Sequence, residues 1–232
     1  MIEFRKSEDR HHENFGWLDA RWSFSFGDYN DPQHMSFGPL RVFNDDIVKP
    51  STGFPLHPHR EMEIVTFVLS GAVEHQDSMG NRTTIRAGEV QRMSAGTGVR
   101  HSERNPSETE PLHLLQVWFL PERSGLAPSY EQKAFTREQR QGRLLPVISG
   151  TPMEGAVSIH QDVTGYLASL RPGSAAGHNF AAGRRGYLFV IDGAARLAGT
   201  SMAGGDAAKI TAEPQIRIEA LGDSELLLLD MI

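Results

Sequence analysis

Two short stretches of this chain carry the residues best suited to chemistry. The first is Gly53-Phe54-Pro55-Leu56-His57-Pro58-His59-Arg60-Glu61; the second, further along, is Ala95-Gly96-Thr97-Gly98-Val99-Arg100-His101-Ser102-Glu103. Side chains alternate across a strand, so residues two apart project to the same face. His57 and His59 then present two imidazoles together, and His101 and Glu103 add a third imidazole and a carboxylate from a second strand. Pro58 cannot donate to a central ladder, which places the first pair on an edge strand or at a strand entry near a barrel mouth. Three neutral imidazoles and one carboxylate suit a borderline first-row divalent ion: iron, manganese, cobalt, nickel, copper or zinc. Four protein ligands leave two positions of an octahedral ion open. Ion and ligands together carry a charge of roughly +1, which favours an anionic or easily deprotonated oxygen ligand in those positions. A single His-x-His in a β protein more often marks a solvated strand face than a metal site. Two such pairs, each preceded by a glycine-punctuated turn, are much harder to attribute to accident. The residues therefore predict one divalent metal ion on His57, His59, His101 and Glu103.

The elements that must position these groups read as strands. Runs rich in Val, Ile, Phe and Thr recur between Gly, Pro and Asn punctuation: Trp22 to Phe26, Leu40 to Phe43, Glu63 to Leu69, Thr83 to Arg86, His113 to Phe119 and Tyr187 to Ile191. That rhythm predicts an all-β sandwich or barrel. Ser78-Met79-Gly80-Asn81 reads as a hairpin turn. The most helix-like stretch, Thr136 to Gln141, lies in a region from Pro121 to Gly142 where strand patterning lapses, and that region reads as a connection between two halves.

The halves echo each other. Phe67-Val68-Leu69-Ser70-Gly71-Ala72-Val73 is repeated as Phe189-Val190-Ile191-Asp192-Gly193-Ala194-Ala195, and His113-Leu114-Leu115 as Glu225-Leu226-Leu227. Between these anchors Gly88 to Glu103 overlays Gly205 to Ala220 without a gap, which predicts a duplicated barrel. In the overlay His101 faces Ile218 and Glu103 faces Ala220, while the His-x-His pair shrinks to His178. The second half is therefore expected to lack metal ligands, with His178 a structural histidine. The predicted division is an N-terminal metal-binding barrel over residues 1–125 and a C-terminal barrel over 126–232.

Composition narrows the function classes. With 23 Lys and Arg against 29 Asp and Glu the formal charge is −6, and no long basic run suggests direct nucleic-acid binding. The absence of cysteine rules out disulfides, thiolate metal sites and cysteine nucleophiles. The segment from Met1 to Ala20 is too charged for a secretory signal, and the apolar windows Leu112 to Leu120 and Leu226 to Leu229 are too short to cross a bilayer. A soluble, cytoplasmic protein without membrane contact is expected. Weaker candidates read more plainly: His11 and His12 as solvated, Asp45-Asp46 as a turn, and Trp22, Phe24 and Phe26 as core, with one of them a candidate pocket wall. Glu63 reads either as a carboxylate orienting an imidazole or as an exposed strand residue.

The motifs Phe24-Ser25-Phe26, Phe37-Gly38-Pro39-Leu40-Arg41-Val42, Asn44-Asp45-Asp46, Pro55-Leu56-His57-Pro58-His59-Arg60 and Ala95-Gly96-Thr97-Gly98 before His101-Ser102-Glu103 resemble the pirin family, a branch of the bicupins. The resemblance implies two tandem jelly-roll barrels of the cupin type. It also implies a metal, commonly iron, on the residues at His57, His59, His101 and Glu103, and a C-terminal barrel without ligands. Glu61 departs from the pattern, because pirins often have glycine there. Bacterial members are associated with quercetin 2,3-dioxygenase activity, in which dioxygen opens a flavonol ring with release of carbon monoxide. On that reading the flavonol hydroxyl becomes more acidic on the metal, and Glu103 is the catalytic base. Two alternatives stay open: a redox-sensing regulator that binds a protein partner, as some animal pirins resemble, with ring opening incidental, and a cupin whose metal is structural.

Overall fold

The computed structural model describes residues 1–232 and is built almost wholly of strands. In chain order these are β1 (Ile2–Arg5), β2 (His11–Asn14), β3 (Leu18–Trp22), β4 (Leu40–Val48), β5 (Gly53–His59), β6 (Glu63–Ser70), β7 (Ala72–Asp77) and β8 (Arg82–Arg86). There follow β9 (Glu89–Ser94), β10 (Val99–Arg104), β11 (Leu112–Phe119), β12 (Ser129–Ala134), β13 (Leu145–Ser149), β14 (Val157–Ser158) and β15 (Val163–Leu170). The chain closes with β16 (Ala175–Asn179), β17 (Arg185–Asp192), β18 (Ala194–Leu197), β19 (Thr200–Ala203), β20 (Ala207–Thr211), β21 (Gln215–Ala220) and β22 (Ser224–Met231). No helix is long and apolar enough to cross a membrane.

The chain forms two compact units, each a two-sheet barrel of the cupin type. The first comprises His11–Ala134 with Val157–Gln161. Its longer sheet runs β12-β9-β6-β11-β4-β3-β2 and its shorter one β5-β10-β7-β8, so β5 is an edge strand as Pro58 requires. Strand periodicity of two sorts the residues of the shorter sheet: on β10, Val99, His101 and Glu103 are buried while Arg100 and Arg104 face water. The apolar interior around Val68, Val73, Ile85, Leu112 and Leu114 supplies the hydrophobic stabilisation against which those polar groups are buried.

The second unit comprises Met1–Arg10, Phe135–Ala156 and Asp162–Ile232. Its sheets run β1-β20-β17-β22-β15-β13 and β16-β21-β18-β19, so β20-β17-β22-β15 repeats β9-β6-β11-β4, and the shorter sheets match strand for strand. Duplication reaches the turns. Gly71 and Gly193 both adopt positive φ, 75° and 81°, and a Cβ on either would collide with the backbone of the facing loop, 2.9 Å from Pro111 O and 1.9 Å from Asp223 O. Only glycine tolerates both the backbone conformation and the contact, which explains its recurrence in the two echoed segments.

Several sequence expectations are corrected. A single cut between residues 125 and 126 gives way to interleaving: residues 126–134 stay with the first barrel because β12 pairs with β9, and Met1–Arg10 belongs to the second because β1 pairs with β20. The strand expected over Trp22 to Phe26 stops at Trp22, and Asp45-Asp46 lies inside β4 rather than in a turn. The helix-like stretch Thr136 to Gln141 is only a turn. Thr136 and Gln139 do make the reciprocal bonds of a capping box, Gln139 N to Thr136 Oγ1 at 3.3 Å and Thr136 N to Gln139 Oε1 at 2.7 Å. Gly142 at φ 73° then turns the chain before a helix can propagate.

Candidate metal centre and cavity of the first barrel

Strands β5 and β10 pair antiparallel with His101 directly opposite His57, so the two sequence motifs meet across one ladder. Gly53 makes this approach feasible: a Cβ there would stand 2.2 Å from Glu103 O. The candidate ligand atoms of His57, His59 and His101 lie within 4.8 Å of one another. Glu103 forms a second such group with His101 and His75, so His101 links the two. All four expected residues are therefore gathered in one barrel, with Glu103 joined through His101.

The hydrogen bonds fix the tautomers. His57 Nδ1 lies 2.7 Å from Pro55 O, an acceptor only, so Nδ1 carries the proton and Nε2 presents a bare lone pair. Asp77 Oδ2 lies 3.0 Å from His75 Nε2, which must donate, leaving His75 Nδ1 to accept from His101 Nδ1 at 3.4 Å. His101 Nε2 is then also bare, and it lies 3.0 Å from His57 Nε2. Buried His59 Nε2 and Glu103 Oε1 have no hydrogen-bond partner in the protein. Two lone pairs facing each other and two buried polar atoms without partners are costly unless a cation stands among them. The spacing fits one: nitrogens about 2.1 Å from an ion and at right angles to each other are about 3.0 Å apart.

Burial sets the charge states. It pushes His59 down to about 4, helped by His57, and pushes His101 far below the usual imidazole range, helped by the neighbouring histidines. His75 is lowered by burial against the opposing pull of Asp77. Burial therefore favours the neutral form of His59 and His101, as metal ligation requires. Burial lifts the Glu103 carboxyl to about 7, opposed by its bond from Gln116. A nearby cation acts in the opposite direction and favours the carboxylate.

Beside these groups lies a cavity of about 380 Å³, lined by His57, His59, Glu103, Asn44, Asp46 and Gln116 and by the rings of Phe15, Trp17, Trp22, Phe26, Phe54 and Trp118. Its volume falls in the range of small-molecule sites. Edge-to-face contacts chain the rings inward: Trp22–Phe26 at 5.2 Å, Phe26–Trp118 at 5.4 Å and Trp118–His59 at 4.8 Å between centroids. Gln116 Nε2 donates to Glu103 Oε2 at 2.5 Å, and Trp118 Nε1 donates to Gln116 Oε1 at 2.9 Å. Of the aromatic trio expected as core, Phe24 and Trp22 are buried and Phe26 packs against the core, while Trp22 and Phe26 also wall the cavity.

Spacing alone does not assign His75, Asp77, Gln116 or Trp118 to the site. A partial signal for the first two exists, since His75-x-Asp77 has the same two-residue spacing as the expected ligands; Gln116 stood out only as a polar break in an apolar run. Glu63 is wholly buried rather than exposed; it receives Ser94 Oγ at 2.9 Å and His160 N at 3.1 Å, and the imidazole it touches is that of His160, at 3.4 Å, not one of the centre. His11 does not stand free in solvent but stacks on Tyr29 at 4.0 Å and 8°, whereas His12, beside Asp19, is exposed. In the second barrel Ile218 and Ala220 are buried in hydrocarbon, and His178 is bound to Asp230 at 2.8 Å.

Comparison with known proteins places this arrangement. The Pirin family matches residues 3–119, and the family described as Quercetinase C-terminal cupin domain matches residues 146–231. A protein of Escherichia coli strain K12 named Quercetin 2,3-dioxygenase is 47% identical over 231 residues, covering 100% of this chain and 99% of its own. A Pirin-like protein of Caulobacter vibrioides is 40% identical over 99% of both chains. The crystal structure of the bacterial pirin YhhW from Escherichia coli in complex with nickel(II) superposes with a TM-score of 0.95 at 46% identity, covering 100% of this chain and 99% of that one. The barrels, the echoed turns and these matches agree, and the chain belongs to the pirin family as a quercetin 2,3-dioxygenase-like bicupin.

Proposed function

We propose that the first barrel holds a single divalent metal ion on His57, His59, His101 and Glu103 and uses it to open a flavonol-like ring with dioxygen, releasing carbon monoxide. The observation that carries this reading is the convergence of His57, His59 and His101, with the partnerless Glu103 Oε1 joined to them through His101, beside an aromatic-walled cavity. A bound ion of this class supplies Lewis acidity and, when redox-active, an electron path toward dioxygen. Nickel in a closely similar pirin supports a first-row divalent ion, with iron the occupant that the family resemblance favours.

The protein's own residues prepare the substrate. Trp118, Trp22 and Phe26 offer ring faces and edges that select a flat aromatic molecule and exclude water from it. Glu103, its Oε2 engaged by Gln116, has only Oε1 for both roles, ligand and base, so it would take the proton of the substrate hydroxyl by shifting that oxygen away from the ion. Trp118 fixes Gln116, which fixes Glu103, so the proton acceptor is held by a chain of donors and not by packing alone. The cavity is also what favours an enzyme over a protein-binding regulator, since a purely sensing metal has no need of a walled small-molecule space beside it.

The test is elemental analysis of native protein combined with an aerobic flavonol turnover assay that detects carbon monoxide, on wild type and on His57→Ala. One equivalent of metal with metal-dependent turnover in the wild type, both lost in the variant, is the expected result. Metal without turnover, together with capture of a protein that depends on metal oxidation state, would replace the enzyme reading with the regulator.

A further inference from the structure

We propose that Asp77 and His75 are positioning residues that lock the tautomer of His101 from behind, so that metal binding depends on two side chains outside the proposed ligand set. The inference rests on the metal reading above and extends it to a neighbouring sheet strand. His75 and Asp77 sit on β7, which pairs with β10 so that His101 faces Asp77 and Glu103 faces His75. Both side chains are wholly buried, as is that of His101. Asp77 is anchored: its Oδ1 receives Met79 N at 2.9 Å and Asn81 N at 3.1 Å, and its Oδ2 receives Asn81 Nδ2 at 2.8 Å as well as His75 Nε2 at 3.0 Å.

Each bond dictates the next. An anchored carboxylate can only accept, so the His75 proton sits on Nε2; His75 Nδ1 must then accept, so the His101 proton sits on Nδ1; and His101 Nε2 is left bare on the side of His57. A hydrogen bond from the remote nitrogen of a ligating imidazole orients the ring and raises its basicity, and losing such a partner lowers metal affinity about 10- to 100-fold. Buried hairpin geometry explains the Asp77 contacts with Met79 and Asn81, but a hairpin has no use for a buried imidazole aimed at another imidazole. That contact is what assigns His75 a role at the centre.

Reversing the carboxylate should reverse the relay. In Asp77→Asn the amide carbonyl can still accept from Met79 N and Asn81 N, leaving the amide NH2 toward His75 and the Asn81 side chain, whose own amide turns to present its oxygen. His75 Nε2 must then accept, His75 Nδ1 donate, and His101 carry its proton on Nε2, where it competes with the metal. His75→Phe keeps the volume and removes the relay; His75→Asn places a carbonyl oxygen near the position of Nδ1 and restores an acceptor.

The experiment uses cobalt(II) as probe on the full-length protein. Affinity is measured by competition with a chelator, and the exchangeable ring N–H protons of the ligating histidines are followed by paramagnetic NMR. Wild type should give distinct N–H signals for His57 and His101. His75→Phe and Asp77→Asn should lose or shift the His101 signal alone and bind cobalt about 10- to 100-fold more weakly, with His75→Asn recovering the signal and part of the affinity. Equal affinity and an unshifted His101 signal in both His75→Phe and Asp77→Asn would overturn the relay while leaving the centre intact. Failure of the wild type to bind cobalt would instead overturn the centre itself. If His75→Phe does not fold, Asp77→Asn and His75→Asn carry the same decision.

Discussion

The Nε2 atoms of His57 and His101 stand 3.0 Å apart with the proton of each ring committed to its far side. Bare nitrogens at that distance repel each other, so the protein alone stores an electrostatic penalty that a shared cation relieves. Substitution of either histidine by alanine removes one side of the pair. Metal content measured by elemental analysis should fall well below one equivalent, and turnover should drop by at least about 100-fold, because direct ligands matter no less than their supporting partners. Unchanged metal content in His101→Ala would remove that residue from the ligand set.

Glu103 is expected to separate binding from turnover. Glu103→Gln preserves shape and an oxygen donor but not the proton acceptor, so metal content should change less than turnover, which should fall about 10²- to 10⁴-fold. Parallel measurement of metal stoichiometry and rate checks this, and an unaltered rate would end the assigned role.

Trp118→Phe keeps a ring against His59 but deletes the donor to Gln116. Gln116 then loses its anchor and Glu103 its orientation, a change worth about 1 kcal/mol and hence about fivefold. The effect should appear in kcat, with KM little changed, in steady-state kinetics with flavonol. A loss confined to KM would indicate that Trp118 acts only as a wall.

In the second barrel, Asp206 accepts bonds from Lys6 Nζ at 2.8 Å, Ser7 N at 2.9 Å and Ala203 N at 2.9 Å, and these contacts hold its carboxyl below the usual range despite burial. A depressed carboxyl contributes stability that is present above its unfolded value of about 3.9 and is lost as pH falls through the folded value. Thermal melting of the wild type should therefore show a decline on acidification below about pH 4 that is shallower in Asp206→Asn, whose Tm is lower near neutrality. Matching slopes in the two proteins would exclude Asp206 as the sensitive group.

Glu61 adopts φ 51°, in the left-handed region, and its carboxylate receives Gly125 N at 3.1 Å. Glycine fits the backbone without the bond, whereas alanine has neither advantage. Chemical denaturation should place Glu61→Ala about 1 kcal/mol below Glu61→Gly, the usual cost of a side chain at such a position. Equal stability would mean that the backbone relaxes there.

Spacing made much of this molecule legible. The two-residue period of His57-x-His59 and His101-x-Glu103 survives into the sheet because strand alternation is local, and the echoed Gly71 and Gly193 mark turns whose constraint is also local. What escaped depended on contacts distant in sequence. Nothing near Met1 announces that β1 completes the sheet of the second barrel, and nothing near Ser129 announces β12 beside β9, because edge pairing is decided by the partner strand. Gln116 and Trp118 looked like members of a core strand, and only the approach of Glu103 from another sheet gives them chemical meaning.

Strand β5 has a neighbour on one side only, yet it supplies His57 and His59, while His101 and Glu103 come from β10 inside the same sheet. An ion bridging the two strands would act as a clasp on the sheet's loose margin. Stripping it with a chelator should speed amide hydrogen exchange in β5 far more than in the central strands β6 and β11, so that emptying the centre and slackening the cavity's rim become a single event.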